Sequence, residues 1–252
     1  MSKAEKVEID DGQDGEDEEG KKPPKRRRRP PLILRIWNWT LLTLFLLALL
    51  VVGIVALLRI VNPPINYYQA SEWWRLGQLE REWLPIEVMS PHLPRAAVAA
   101  EDANFCLHLG FDVEAIRTAI EEGAQRGAST ISQQTAKNVF LWHGRSWVRK
   151  GLEAGFTPLI EALWGKERIL EVYLNIAEFD TGVFGVEAAS RHYFGISARH
   201  VEPDQAARLM AILPSPKARS PNALAPWLRQ HAGQIRTGAA TIVADGRAAC
   251  FQ

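Results

Sequence analysis

Cysteine is scarce in this chain: 252 residues hold two, Cys106 and Cys250, far apart in sequence. Two cysteines supply neither a disulfide framework nor a Cys-rich zinc site, so the fold is expected to rest on its hydrophobic core. No HExxH or similar ligand spacing occurs, which argues against a protein-built metal site, and no metal ligand is assigned. The phosphate-binding order GxxxxGK[ST] is also missing. No period of 20 to 50 residues repeats, and no strong alternation marks strands. Beyond residue 59 there is no excess of either charge. Residues 60–252 carry 19 Lys+Arg and 20 Asp+Glu. This balance excludes the basic footprint of a nucleic-acid-binding domain, and no nucleic-acid partner is expected.

What is present lies unevenly. Residues 1–20 hold nine acids and two bases, while 21–29 (KKPPKRRRR) hold seven bases and no acid. The near-neutral total of 30 bases against 29 acids is therefore a cancellation. Residues 1–30, rich in charge and lacking an apolar period, are expected to be a disordered cytoplasmic tail whose basic half lies on anionic headgroups.

Between Arg35 and Arg59 run 23 uncharged residues, Ile36 to Leu58. As a helix they extend about 34 Å, enough to cross a hydrocarbon core of about 30 Å. A signal peptide has a shorter apolar region followed by a small-residue cleavage site, whereas Arg-Ile-Val-Asn-Pro-Pro follows here. A retained anchor over 31–62, spanning 36–58, is the reading. The basic run on its N-terminal side places that side in the cytoplasm and residues 63–252 outside it, attached to the inner (cytoplasmic) membrane. Trp37, Trp39, Tyr67 and Tyr68 flank the span and suit the two interfaces.

The remaining 188 or so residues suffice for one core, and one domain is expected. Helical spacing appears over Ala96–Ala103, Val113–Glu122 and Lys166–Ile176. In the last of these, Ile169, Val172, Tyr173 and Ile176 fall at i, i+3, i+4 and i+7. Another helix is predicted over Asp204–Leu213, opened by Pro203 and closed by Pro214 and Pro216. The class is mainly α.

Three stretches carry chemistry. Glu101-Asp102-Ala-Asn-Phe105-Cys-Leu-His108-Leu-Gly-Phe-Asp112 follows the apolar run AAVAA. A carboxylate at the end of a buried helix has its proton affinity raised by desolvation, as a base working near neutrality requires; by spacing alone Glu101 is more often a solvated helix-end acid. His108 is either a site residue or a loop histidine bonded to backbone. Gly127-Ala-Ser129-Thr130-Ile-Ser-Gln133-Gln134-Thr-Ala-Lys137-Asn138 is dense in hydroxyl and amide groups, with a lysine suited to phosphate. It reads either as a ligand cradle or as a Ser/Thr-capped helix. In Arg149-Lys150-Gly-Leu-Glu153 the first and last residues share a helix face at i, i+4, as a surface ion pair or as a diphosphate clamp.

Together these stretches resemble the peptidoglycan glycosyltransferases that polymerise lipid II, most closely the monofunctional, biosynthetic, membrane-anchored type. EDxxFxxHxGxD matches at 101–112, GxSTIxQQxxKN at 127–138, RKxxE at 149–153 and KxxILExYLN at 166–175, and GVEAASRHYFG at 185–195 completes a fifth block. The likeness continues more loosely through ARLMAILPSP. The resemblance implies a mainly α, lysozyme-like glycosyltransferase domain with a small membrane-proximal lobe, preceded by one transmembrane helix. Its partners would be lipid II, the growing lipid-linked glycan, the bilayer and other cell-wall synthesis proteins. It makes Glu101 the general base and Glu153 a second essential carboxylate, with Lys137 and Arg149 on the diphosphate leaving group. Asp102, Phe105, His108, Ser129, Thr130, Gln134, Asn138 and Lys150 become substrate-binding positions. No cofactor follows from the residues, although members often use a divalent cation, Mg or Mn, at the diphosphate. Glu171 sits off the apolar stripe of its helix and takes a structural role. Pro158 and Gly155, beyond RKxxE, predict a bend. The rivals are a lysozyme-like hydrolase or lytic transglycosylase, and an inactive membrane-anchored scaffold.

Overall fold

The structure is a computed structural model that describes residues 32–121, 123, 129–144 and 146–252. The expected cytoplasmic tail, Glu122 at the end of one predicted helix, and Gly127 of the second motif lie outside the described residues. By its contacts the chain divides at Leu46, within its first helix. The first unit, as far as it is described, is the Leu32–Leu46 part of that helix; the second is everything from Leu47 onward.

The ten helices of the described residues are α1 (Leu32–Leu58), α2 (Tyr67–Leu76), α3 (His92–Glu101), α4 (Val113–Glu121), α5 (Ile131–Phe140), α6 (Trp147–Trp164), α7 (Lys166–Ile176), α8 (Val186–Phe194), α9 (Pro203–Ile212) and α10 (Pro226–Ala244). α1 is uncharged from Ile36 onward and long and apolar enough to cross a membrane, and its side chains are exposed except for Val55 and Leu58. It fits a membrane anchor. Its last carbonyls, which no further helical turn can satisfy, are met by side chains of α6 and α7. Trp164 Nε1 donates to Val55 O at 2.6 Å, and Arg168 donates to Leu58 O and Val61 O, each at 3.0 Å. Arg168 is held in turn by Glu171, 2.5 Å away, which also accepts from Trp83 Nε1 at 3.2 Å.

α7 is the centre of the fold, with every residue from Ile169 to Ile176 buried. α3, α9 and α10 pack together on small residues: Ala96 and Ala97 from α3, Ala206 and Ala207 from α9, and Ala232 from α10 are all buried. α5 and α6 pack with each other and with α7. Removing this apolar surface from water is the dominant favourable contribution to folding.

The four predicted helices are present: α7 has the predicted bounds, α9 is shifted by one residue at each end, and α4 starts at Val113 as expected. α3 begins four residues earlier than its apolar spacing indicated and ends at Glu101. The expected absence of strands needs correction: β1 (Glu80–Arg81), β2 (Glu178–Asp180) and β3 (Val183–Phe184) form a sheet in the order β1-β3-β2, β1 parallel and β2 antiparallel to β3. Strands of two or three residues are too short to show alternation. Gly185 joins β3 to α8 at φ 84°, and a Cβ there would lie 2.8 Å from Asn175 O, so glycine is required.

The helix α6 runs on through Gly155 and Pro158, with Thr157 Oγ1 donating to Glu153 O at 2.7 Å beside the proline. One other expectation changes. The cysteines, set aside as too few and too distant in sequence, form a disulfide across 144 positions, with Cα atoms 5.6 Å apart. Folding, not sequence spacing, brings them together.

Candidate active site

A cleft of about 750 Å³ opens among α2, α3, α5, α7 and α10. Five of the candidate site residues from the sequence line it: Glu101, Ser129, Gln134, Lys137 and Asn138. Their convergence follows from two helix ends. Glu101 is the last residue of α3, where the chain turns out of the core. α5 is capped by Thr130, whose side chain accepts from Gln133 N–H while Gln133 reaches back to the Thr130 N–H. This capping box sets the start of α5, so that Gln134, Lys137 and Asn138, at i, i+3 and i+4, share the cleft face. Both readings of that stretch hold together: it is a capped helix, and its polar face is a wall of the cleft.

Gln134 Nε2 donates to Glu101 Oε2 at 2.8 Å. Burial pushes the Glu101 carboxyl above the usual carboxylate range and the Asp102 charge adds to this; Gln134, His231 and Lys137 oppose it. For Lys137, burial lowers the ammonium below its ordinary value, with the Arg149 and Lys150 charges acting the same way and Glu153 and Glu101 opposing. Asn138 Oδ1 is buried with no hydrogen-bond partner among the described residues, leaving an acceptor at the cleft wall.

Arg149, Lys150 and Glu153 stand beside Lys137 rather than on the cleft wall. Arg149 Nη1 donates to Glu153 Oε2 at 2.8 Å, Lys150 Nζ pairs with Glu153 Oε1, and Lys150 also reaches Ser129 Oγ at 3.3 Å. Glu153 is 3% exposed and both its oxygens are engaged. The carboxylate expected as a second essential acid is therefore placed as a brace for two cations. Neither of the simple readings of RKxxE is complete, because the pair is mostly buried and not a solvated surface contact.

Four further positions lie behind the wall. Phe105, expected at substrate, is fully buried in the core beneath Lys166, whose Nζ is 4.4 Å from the ring centre. Its place corrects the expectation: an apolar side chain ending a tight loop is buried as core. Asp102 is buried, accepting from the Ile131 N–H at 3.0 Å and pairing with His108 Nε2 at 2.8 Å. Thr130 Oγ1 donates to Gly110 O at 2.6 Å. These contacts fasten the loop after Glu101 to the start of α5 and so fix the distance between the carboxylate and the lysine helix.

Asp102, His108 and Asp112 bring ligand-type atoms within 4.8 Å of one another. Each carboxylate oxygen is already engaged, Asp112 accepting from Ala115 N–H at 2.9 Å and Asn104 Nδ2 at 3.0 Å. The trio belongs to the loop and does not line the cleft. At the cleft itself Glu101 is engaged by Gln134, and Glu178 by Tyr68 and Lys217, so the described residues make no prepared cage for a divalent cation.

The opposite wall contains residues not anticipated as site residues: Tyr68, His143, Glu178 and His231. Tyr68, taken from sequence as an interface aromatic, donates to Glu178 Oε2 at 2.7 Å, accepts from Lys217 Nζ at 2.8 Å and stacks on His143 with ring centres 3.8 Å apart. Burial, with the nearby Lys137 and Arg149 charges, holds His143 down to about 4, so it is neutral at physiological pH. Single polar residues in segments without a motif gave no signal; Glu178, three residues beyond the fourth block, was the nearest to legible.

Residues 69–242 match the transglycosylase family. Among curated relatives, a biosynthetic peptidoglycan transglycosylase of Jannaschia sp. (strain CCS1) is 54% identical over 215 residues, 85% of this chain and 90% of the relative. Proteins of the same name from Rhodospirillum centenum (47% identical, 81% of this chain and 91% of the relative) and Caulobacter vibrioides (52%, 72% and 82%) are also similar. With residues of three motif blocks lining one cleft and a match over most of its length, the chain belongs to the transglycosylase family.

Proposed function

We propose that the protein is a peptidoglycan glycosyltransferase that extends a lipid-linked glycan with lipid II and releases polyprenyl diphosphate. The observation that carries this reading is the pairing across one cleft of a proton-seeking carboxylate, Glu101, with Lys137. Glu101 takes the proton of the acceptor 4-hydroxyl, and that oxygen attacks the anomeric carbon of the growing chain. Displacement inverts the centre, turning an α-linked lipid diphosphate into a β-1,4 link. Charge developing on the leaving diphosphate is met by Lys137, with Arg149 and Lys150 behind it and Glu153 keeping the two in register. Gln134 orients the base, and Ser129 and Asn138 offer groups to the sugar. No step is routed through a metal ion.

The anchor keeps the cleft near substrates that themselves stay in the bilayer. Exposed apolar side chains support a lipid-facing lobe: Leu107 and Leu109 in the loop, Val113 and Ile120 on α4, and Trp147, Val148 and Leu152 on α6. The basic run before α1 and the disulfide both support placing α1 in the inner membrane with residues 63–252 on its extracytoplasmic side. Incubating the purified full chain with lipid II in detergent tests the activity. Longer glycan and free polyprenyl diphosphate are expected. Shortening of preformed glycan, with lipid II untouched, would mean a hydrolase or lytic enzyme; no turnover of either would mean a scaffold.

A further inference from the structure

Cys106 lies five residues after Glu101, in the loop that carries the proposed base out of α3. Its partner Cys250 lies in the segment 245–252, after α10. The disulfide is one of three attachments between this segment and the loop. The Phe251 ring packs on Phe105, with centres 6.4 Å apart, and both rings are buried. Arg247 Nη1 donates to Ala103 O at 3.3 Å, while Asp245 holds the same guanidinium at 2.7 Å. The loop itself has little else on its outer side: Ala103, Leu107 and Leu109 are exposed. On its inner side it is fastened to α5 through Asp102 and Thr130.

We propose that segment 245–252 is a clamp that positions the Glu101 loop, and that the Cys106–Cys250 disulfide locks it, so that a dithiol reductant unlocks the clamp and slows transfer. The inference rests on the reading of Glu101 as the base. Both cysteines are half-buried at the edge of the core rather than enclosed in it, and unlocking requires that a small thiol or a redox protein of the dithiol class reach their sulfurs. In the unlocking step a thiolate of the reductant attacks one sulfur and the S–S bond breaks. The second reductant thiol resolves the mixed disulfide. Two electrons and two protons pass to Cys106 and Cys250, which become thiols, and the reductant leaves as its own disulfide. The reverse needs an oxidised dithiol of the same class. Neither cysteine touches substrate; both are positioning residues that act through Glu101.

The test uses the full chain in detergent, oxidised or treated with dithiothreitol, with alkylation of free thiols counted by mass spectrometry. Hydrogen exchange reports the clamp whether or not the protein polymerises lipid II. Reduction is expected to speed exchange across 102–112 and 245–252, leaving α9 unchanged. With lipid II, kcat should fall about tenfold with KM little altered, as for a displaced catalytic group. The acidic limb of the kcat profile should move down in pH as Glu101 gains solvent, while Asp102 beside it, Lys137 on α5, Tyr173 on α7 and His231 on α10 keep their places. Cys250→Ser should reproduce the reduced state, and reoxidation of the wild type should restore it. Both cysteines alkylating without reductant, or unchanged exchange in 102–112 after reduction, would overturn the clamp. Loss of rate together with a matching rise in KM would overturn positioning through Glu101. An oxidised enzyme inert to lipid II would refute the proposed activity alone, and exchange would still decide the clamp.

Discussion

Replacing Glu101 by Gln removes proton acceptance and little else. Gln134 Nε2, 2.8 Å from Glu101 Oε2, keeps an acceptor in the amide oxygen of the new side chain, so the local hydrogen bond and the cleft shape should persist. Loss of a general base costs about 10² to 10⁴ in rate, or about 3 to 5 kcal/mol of barrier at about 1.4 kcal/mol per decade. Polymerisation of lipid II by Glu101→Gln, followed by gel separation of glycan products, should fall by that factor while lipid II binding is retained. The stability of the variant carries a second, independent sign. Burial raises the folded-state proton affinity of Glu101 above its unfolded value. Such a group contributes stability that is complete below the ordinary carboxylate range and is lost as pH rises through the raised folded value. Glutamine does not titrate and suffers no such loss. Wild type and Glu101→Gln should therefore melt alike in acid, and the variant should melt at an equal or higher temperature near neutrality, the difference growing across that window. A variant that polymerises at near wild-type rate would refute Glu101 as the base. One that loses activity together with several degrees of melting temperature at neutral pH would make Glu101 a structural residue.

Other outcomes can be checked in the same assays. Lys137→Ala should lower kcat by on the order of a hundredfold, as for loss of a preorganised charge-stabilising donor, with folding intact by circular dichroism because the residue lines the cleft. Since burial lowers the Lys137 ammonium, the alkaline limb of the wild-type rate profile should fall below the pH at which a free lysine loses its proton. Arg168→Met strips Leu58 O, Val61 O and Glu171 of their partner, and should cost about 3 kcal/mol in a detergent unfolding titration, with kcat of the surviving folded enzyme unchanged. Alkaline phosphatase joined after Gln252 should be active in cells; activity there from a reporter that works only in the cytoplasm would reverse the assigned orientation.

The membrane-length apolar run and the buried stripe of α7 were legible in the linear chain because each is a local property. Twenty-three uncharged residues span a bilayer whatever folds after them, and α7 shows its buried stripe in the order of Ile169, Val172, Tyr173 and Ile176. The family blocks identified Glu101, Gln134 and Lys137, which do meet at one cleft. What folding decided is which members of a motif face that cleft. Phe105 and Asp102 share the block of Glu101, yet one is core and the other ties the loop to α5, since a loop of eleven residues, 102–112, cannot turn every side chain the same way. Glu153 became a brace because two cations on its own helix fill both its oxygens. Tyr68 left the membrane interface of the sequence reading for the cleft, drawn by Glu178, 110 positions away. The disulfide joins segments that follow α3 and α10, and the short sheet joins β1 to strands about 100 positions later, so the proximity of each exists only in the packed fold. Hydrophobic period, charge runs and motif spacing are written along one chain, but a hydrogen bond or an S–S bond between distant segments depends on three-dimensional distance, which only the packed core supplies.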